Sequence, residues 1–212
     1  MLLGGDASNM SRSTGQIDLA KHEAILDAAI ELLVERGVEA SLEDIARRAG
    51  VAKQTIYNHY GSKNEVVRAL AARRAASIAA PLAGLDAAQH PERTLVAYGV
   101  ALLQALLATR SIGFMRFAIG SAATSPELAR AIYHSGIRAS RTSLADFLVV
   151  EASAGRLSIP NPSQAAEMYA GMVIGSLQSA FLLNARADIS HEEIEATACE
   201  AAHRFLRAFA PD

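Results

Sequence analysis

One cysteine, Cys199, stands in a chain of 212 residues. No intramolecular disulfide can form and no Cys-rich metal site can be assembled, which suits a reducing compartment, so a cytoplasmic location is expected. Metal-ligand spacing is missing as well. The six histidines, His22, His59, His90, His134, His191 and His203, are scattered without an HExxH-type pair, and His191 and His203 lie too far apart along one helix to share an ion. There is no Gly-rich phosphate loop. Lacking a reactive constellation, the chain reads as neither an enzyme nor a metalloprotein, and no cofactor is expected. Sustained alternation of β-branched and polar residues is also absent, which excludes a sheet protein.

Long apolar runs are few. Only 94–109 and 168–185 carry no charge, and the second reaches the length at which a membrane helix enters consideration. Gly99 and Gln104 interrupt the first, and Gly171, Gly175, Ser176, Gln178 and Ser179 interrupt the second. Both are expected as buried central helices of a bundle. The opening MLLGGDASNMSRSTGQIDLA has no apolar segment of the kind a signal peptide needs. Residues 1–20 therefore read as a flexible arm, with Met10 a second candidate start and Arg12 available to a DNA minor groove.

What the chain does have is apolar mass and helix formers. It is 51% hydrophobic and 20% charged, enough to bury a core in one or two domains. Ala, Leu, Glu and Arg dominate nearly every segment, so the fold class is all-α. Ser41 with Asp44, Ser62 with Glu65, and Ser190 with Glu193 have capping-box spacing, while Ser125-Pro126 and Asn161-Pro162 are cap-plus-proline starts. These signals predict about nine helices, over 21–36, 42–49, 53–59, 62–80, 91–109, 112–122, 126–154, 163–184 and 190–209.

The first four helices carry the functional pattern. Ile25, Leu26, Ala29, Leu32 and Leu33 give the first helix an apolar face, and Gly37 follows as its stop. Its other face holds Glu23, Asp27, Glu31 and Glu35 at four-residue spacing, a ridge that phosphate would repel and that should face away from DNA. Next comes SLEDIARRAGVAKQTIYNHY, residues 41–60, two short helices around a turn at Gly50. Leu42, Ile45, Val51 and Ile56 would supply their shared core, and small Ala46 would let them approach. This is the pattern of a helix-turn-helix, with 53–59 as the recognition helix. That helix displays Lys53, Gln54, Thr55, Tyr57, Asn58 and His59, all able to hydrogen-bond bases or phosphates.

Local charge agrees. Arg47, Arg48, Lys53, Lys63, Arg68, Arg73 and Arg74 face only Glu65 between 45 and 74, whereas the whole chain carries −2. A basic segment within a slightly acidic protein has the character of a phosphate-binding footprint.

The run ILDAAIELLVERGVEASLEDIARRAGVAKQTIYNHYGSKNEVV resembles the N-terminal pattern of the TetR/AcrR family of transcriptional regulators. The resemblance implies base reading by Lys53 and Gln54, and backbone or mixed contacts by Thr55, Tyr57 and His59. It further implies phosphate binding by Lys63 at the start of the fourth helix, and a backbone contact by Ser41, where the family commonly has Thr. Arg48 and the variable Asn58 complete the DNA-facing set, and Tyr60 supplies the family's usual aromatic. Residues 21–80 then form the DNA-binding domain with its linker helix, and 81–212 a helical effector-binding and dimerisation domain.

The expected activity is that of a ligand-responsive repressor. It would bind a near-palindromic operator in double-stranded DNA as a homodimer, released by a small hydrophobic or amphipathic effector. The alternative is a helical ligand-binding dimer without DNA-binding activity. The candidate dimer stripe is Ile194, Ala198, Ala201, Ala202, Phe205 and Phe209 on the last helix, with Gly171 and Gly175 permitting close crossing of the helix before it. Candidate pocket residues are Tyr98, Phe114, Phe117, Tyr133, Phe147, Met168, Met172, Gln178 and Phe181, with His134 and Arg116 informative if they face inward.

Overall fold

The computed structural model describes residues 19–84, 87 and 90–211. Most of the expected arm, including Met10 and Arg12, lies outside the described residues. Among the described residues there is no strand. The helices are α1 (Leu19–Arg36), α2 (Leu42–Arg48), α3 (Lys53–Tyr60), α4 (Lys63–Ala79), α5 (Pro91–Leu107), α6 (Thr109–Ser121), α7 (Pro126–Ile132), α8 (Ala139–Ser153), α9 (Pro162–Ile174), α10 (Leu177–Leu182) and α11 (His191–Ala208). No single helix among them is long and apolar enough to cross a membrane.

Local chemistry sets the boundaries. Ser41 closes a full capping box: its hydroxyl accepts the Asp44 amide at 3.1 Å, and the Asp44 carboxylate accepts the Ser41 amide at 3.3 Å. Ser62 and Ser190 cap only one way, accepting the amides of Glu65 and Glu193. The Glu193 carboxylate is instead taken by Arg186, whose Nη1 lies 2.6 Å away. Asn161 accepts the Gln164 amide at 3.0 Å, whereas Ser125 makes no side-chain cap.

Two of the predicted helices differ in form. The run 126–154 is continuous but contains a π-helical stretch, Tyr133–Arg138, between α7 and α8. The run 163–184 breaks at Gly175, whose φ of 47° and ψ of −131° a side chain would resist, giving α9 and α10. The expectation that 168–185 is a buried central helix fails in part. Tyr169, Ala170 and Val173 are buried, but Met168, Gly171 and Met172 face outward.

Two apolar cores form. The smaller gathers α1 (Ile25, Leu26, Leu32, Leu33), α2 (Leu42, Ile45), α3 (Ile56, Tyr60) and α4 (Val66, Val67, Leu70), and it is completed by Phe114, Ala118, Leu128 and Ile132 from α6 and α7. The N-terminal core is therefore not closed by residues 21–80 alone. The larger core is built by α5, α8, α9 and α11 around Tyr98, Leu102, Leu148, Tyr169 and Phe205. In it Tyr169 donates to the Leu95 carbonyl at 2.7 Å and Tyr98 to the Ser140 carbonyl at 3.2 Å, satisfying both buried hydroxyls.

Candidate nucleic-acid interface

The recognition helix α3 is held by few contacts. It buries only Ile56 and Tyr60, each adding about 1.5–3 kcal/mol of apolar burial, and two turns are too short to persist alone. Its position is fixed by the turn before it, where Gly50 takes φ of 67° and Val51 donates to the Ala46 carbonyl at 3.0 Å. At its end the Tyr60 hydroxyl shares a 2.7 Å hydrogen bond with His22 Nδ1 of α1, and burial pushes the Tyr60 hydroxyl up to about 12. With one side anchored, α3 turns Lys53, Gln54, Tyr57, Asn58 and His59 to solvent, and leaves Thr55 half-buried.

The exposed groups are ordered by neighbours. Glu43 of α2 accepts Tyr57 Oη at 2.9 Å and pairs with Lys53 Nζ at 2.6 Å, and the ammonium lies 5.3 Å from the Tyr57 ring centroid. The Lys53 hydrogen bond is the largest of several that hold the Glu43 carboxyl down at about 2, and the same contact raises Lys53. Gln54 Nε2 donates to Asn58 Oδ1 at 2.5 Å one turn along. His59 packs edge-on to Tyr60, with ring centroids 5.0 Å apart.

The basic segment is far more neutralised than its sequence count implies. Arg48 is paired within the chain: its guanidinium meets Glu31 at 3.3 Å and Glu35 at 3.0 Å on α1. Arg73 likewise binds Glu23 and Asp27, so the acidic ridge of α1 is paired rather than self-repelling. Arg47 pairs with Asp44 and Arg68 with Glu65. Lys63 Nζ donates to the carbonyls of Val38 at 2.5 Å and Ala40 at 3.3 Å, tying the α1–α2 connection to the start of α4. The Ser41 hydroxyl spends both its donor and its acceptor on Asp44. Ser41, Arg48 and Lys63 are thus occupied within the chain. Arg47, 73% exposed and paired with Asp44, is an outward cation that the sequence reading counted in the basic segment without assigning it a contact. Exposed pairs of this kind are weak and readily exchanged for phosphate.

The C-terminal expectations divide more sharply. A cavity of about 80 Å³ opens between α4, α5, α6, the π-helical stretch and α8. Of the nine candidate pocket residues, Phe114 and Gln178 line it. Phe117 packs instead on the N-terminal core, Tyr98 and Phe181 lie in the larger core, and Phe147 lines a separate open groove. Tyr133, Met168 and Met172 are exposed, as is His134. Arg116 caps the end of α10 through the carbonyls of Phe181 and Leu182. Two cavity residues, Arg74 and Arg141, were invisible as such: a helical arginine with no apolar neighbour pattern reads as a solvated one.

The dimer stripe on α11 is consumed within its own subunit. Ile194, Ala198, Ala201, Ala202 and Phe205 are all buried, and Phe209 packs half-buried against Phe205. They face α5 and α9, where a Cβ on Gly99 would stand 3.0 Å from that of Ala198. An outward row of Met168, Gly171 and Met172 on α9 continues to Gly175 at its C-terminal cap.

Comparison with known proteins agrees with this architecture. Residues 25–70 match the bacterial regulatory proteins of the tetR family, and residues 93–211 match the C-terminal domain of AefR-like transcriptional repressors. The uncharacterized HTH-type regulator TtgW of Pseudomonas putida is 41% identical over 66 residues, 31% of this chain and 49% of that one. The HTH-type transcriptional repressor Rv3405c of Mycobacterium tuberculosis is 32% identical over 127 residues, 59% of this chain and 66% of that one. Thus the matched segment spans about half to two thirds of these relatives. The solved structure of the flavonoid-responsive regulator FrrA is 28% identical with a TM-score of 0.69, covering 92% of this chain and 99% of that one. The chain belongs to the TetR family of bacterial transcriptional regulators.

Proposed function

We propose that the chain is a ligand-responsive repressor that binds a near-palindromic DNA operator as a homodimer. The observation that carries this reading is α3: a two-turn helix anchored by Ile56 and Tyr60 that presents five hydrogen-bonding side chains outward. Lys53 and Gln54 are assigned to base edges, and Tyr57, His59 and Arg47 to the backbone. Dimerisation is assigned to the row Met168, Gly171, Met172 and Gly175, because the α11 stripe has no surface left to offer. A dimer sets two α3 helices into successive major grooves about 34 Å apart, which requires a site with two-fold symmetry.

Release is assigned to the cavity. Four of its lining residues, Ala71, Arg74, Ala75 and Ile78, lie on α4, the helix that begins directly after α3. A ligand that prefers a shifted α4 would change the spacing of the two heads through its differential affinity for the two states. The relative FrrA is named as flavonoid-responsive, in keeping with effector control on this fold.

Selection of bound DNA from a random pool, paired with light scattering of the free protein, tests the reading. An enriched inverted repeat and a dimeric mass support it. No enrichment above the starting pool would leave the alternative, a ligand-binding dimer without DNA.

A further inference from the structure

We infer that the cavity takes a small amphipathic monoanion, a carboxylate on a compact apolar body, gripped at its acid end by Arg74 and Arg141. The inference rests on the ligand-responsive reading above and adds the chemical class of the ligand.

The walls are mainly aliphatic and aromatic: Ile78, Leu102, Leu106, Phe114, Ile132 and Ile174 are among them. Into this lining come two guanidiniums. The Nε atoms of Arg74 and Arg141 are buried and have no hydrogen-bond acceptor. Arg74 gives one bond, from Nη2 to the Ala105 carbonyl near the end of α5. No ion pair forms on it among the described residues. Burial alone pulls Arg74 down to about 10. The Arg141 side chain is 11% exposed. Its Nη1 meets Ser140 Oγ at 3.3 Å. Glu167 stands 3.5 Å from its Nε, lacks hydrogen-bond geometry and is itself 62% exposed.

A buried charge without a matched partner is unfavourable, and an aliphatic side chain of similar volume would be more stable in its place. Arg74 is such a charge, and Arg141 beside it has only the exposed Glu167 and an unsatisfied Nε; both are explained if a ligand supplies what the protein does not. Arginine suits that task because its planar fork matches a carboxylate with two parallel N–H donors. Charge also selects the ligand: two guanidiniums and one nearby carboxylate leave a single positive charge, which a monoanion balances. The cavity volume of about 80 Å³ restricts the apolar body to the size of one ring or a short chain, against roughly 300–1,000 Å³ for pockets that hold drug-sized ligands. Of the other polar lining residues, the Gln178 amide can donate to the acid, while the Ser140 hydroxyl already donates to the Ile137 carbonyl at 3.0 Å.

The same contact offers a trigger. An acid that captures Arg74 competes with the Ala105 carbonyl, so binding exchanges an α4–α5 tether for a ligand bond. That exchange is the differential interaction that a shift of α4 requires.

The test uses the full chain with benzoate and hexanoate against benzamide, hexanamide and inorganic phosphate, read by thermal shift and calorimetry. The acids should bind, the amides and phosphate should not, and Arg141→Gln or Arg74→Gln should weaken the acids by about tenfold or more. Arg141→Lys, which keeps the charge but loses the fork, should retain part of the affinity. Equal binding of acids and amides, equal binding of phosphate, or no binding of either acid overturns the inference. If the glutamine variants fail to fold by circular dichroism, the contrast between acid and amide on the unaltered chain decides alone. Gel retardation with the selected operator separates the two levels: DNA binding released by neutral compounds alone overturns the anion while leaving the repressor standing.

Discussion

Tyr57 of the recognition helix donates a 2.9 Å hydrogen bond to Glu43 of the preceding helix, and Lys53 pairs with the same carboxylate oxygen at 2.6 Å. Two of the proposed DNA contacts are thus held by an anion that phosphate must displace. Because the folded Glu43 carboxyl is depressed to about 2, this arrangement is fully present above the ordinary carboxylate range. It is lost only as pH falls from about 4.5 toward 2. Between pH 5 and 8 it should not titrate.

Glu43→Gln keeps an acceptor for Tyr57 and removes the charge that competes for Lys53. Affinity for non-specific DNA is expected to rise at low salt, and the salt slope to steepen by about 0.9, the value of one added phosphate contact. Fluorescence anisotropy across a salt series measures both. Weaker binding would mean that the carboxylate positions Lys53 and Tyr57 rather than restrains them.

Lys63 distinguishes the family's expectation from the geometry. With its ammonium on the Val38 and Ala40 carbonyls, Lys63→Met should lower the melting temperature by about 2–4 °C, the effect of losing roughly 1 kcal/mol in a chain of this size. The salt slope of DNA binding should be unchanged. A slope smaller by about one unit at constant melting temperature would return Lys63 to the phosphate backbone.

Arg48→Ala gives the companion result. Its guanidinium is committed to Glu31 and Glu35, so neither affinity nor salt slope should fall. A slope reduced by about one unit would show that Arg48 leaves α1 for phosphate in the complex.

Gly113 marks the crossing of α6 over α1. A Cβ there would stand 2.8 Å from Val34 Cγ1, where α6 crosses α1, and Arg110 also reaches Glu31 at 3.0 Å across that crossing. Gly113→Ala should destabilise by about 1–3 kcal/mol, the usual range for overpacking. The double variant with Val34→Ala should recover much of the loss. Urea unfolding checks this, and additive losses would exclude the contact.

Much of this fold was legible in the chain because its signals are local. Ser41-Asp44, Ser62-Glu65 and Asn161-Pro162 announce helix starts within four residues, and the turn at Gly50 needs only its neighbours. The exposed face of α3 followed from the same short-range pattern. What was not legible depends on distance. Arg48 and Arg73 look free until α1 folds beside them and supplies carboxylates 13 to 50 residues away. The α11 stripe is equally apolar whether it meets a second subunit or, as here, α5 and α9. Gly175 breaks a helix that its apolar neighbours continue. Arg74 and Arg141 could not be placed beside one cavity before α4 and α8 were packed together.

The reading head is tested most directly by the affinity of Gln54→Ala for the selected operator and for a scrambled duplex at one salt concentration. Loss of one bidentate base contact should cost about 1–3 kcal/mol on the operator and nothing on the scrambled sequence, relaxing preference at one base pair in each half-site. An unchanged ratio between the two duplexes would contradict the assignment of α3 as the element that reads DNA.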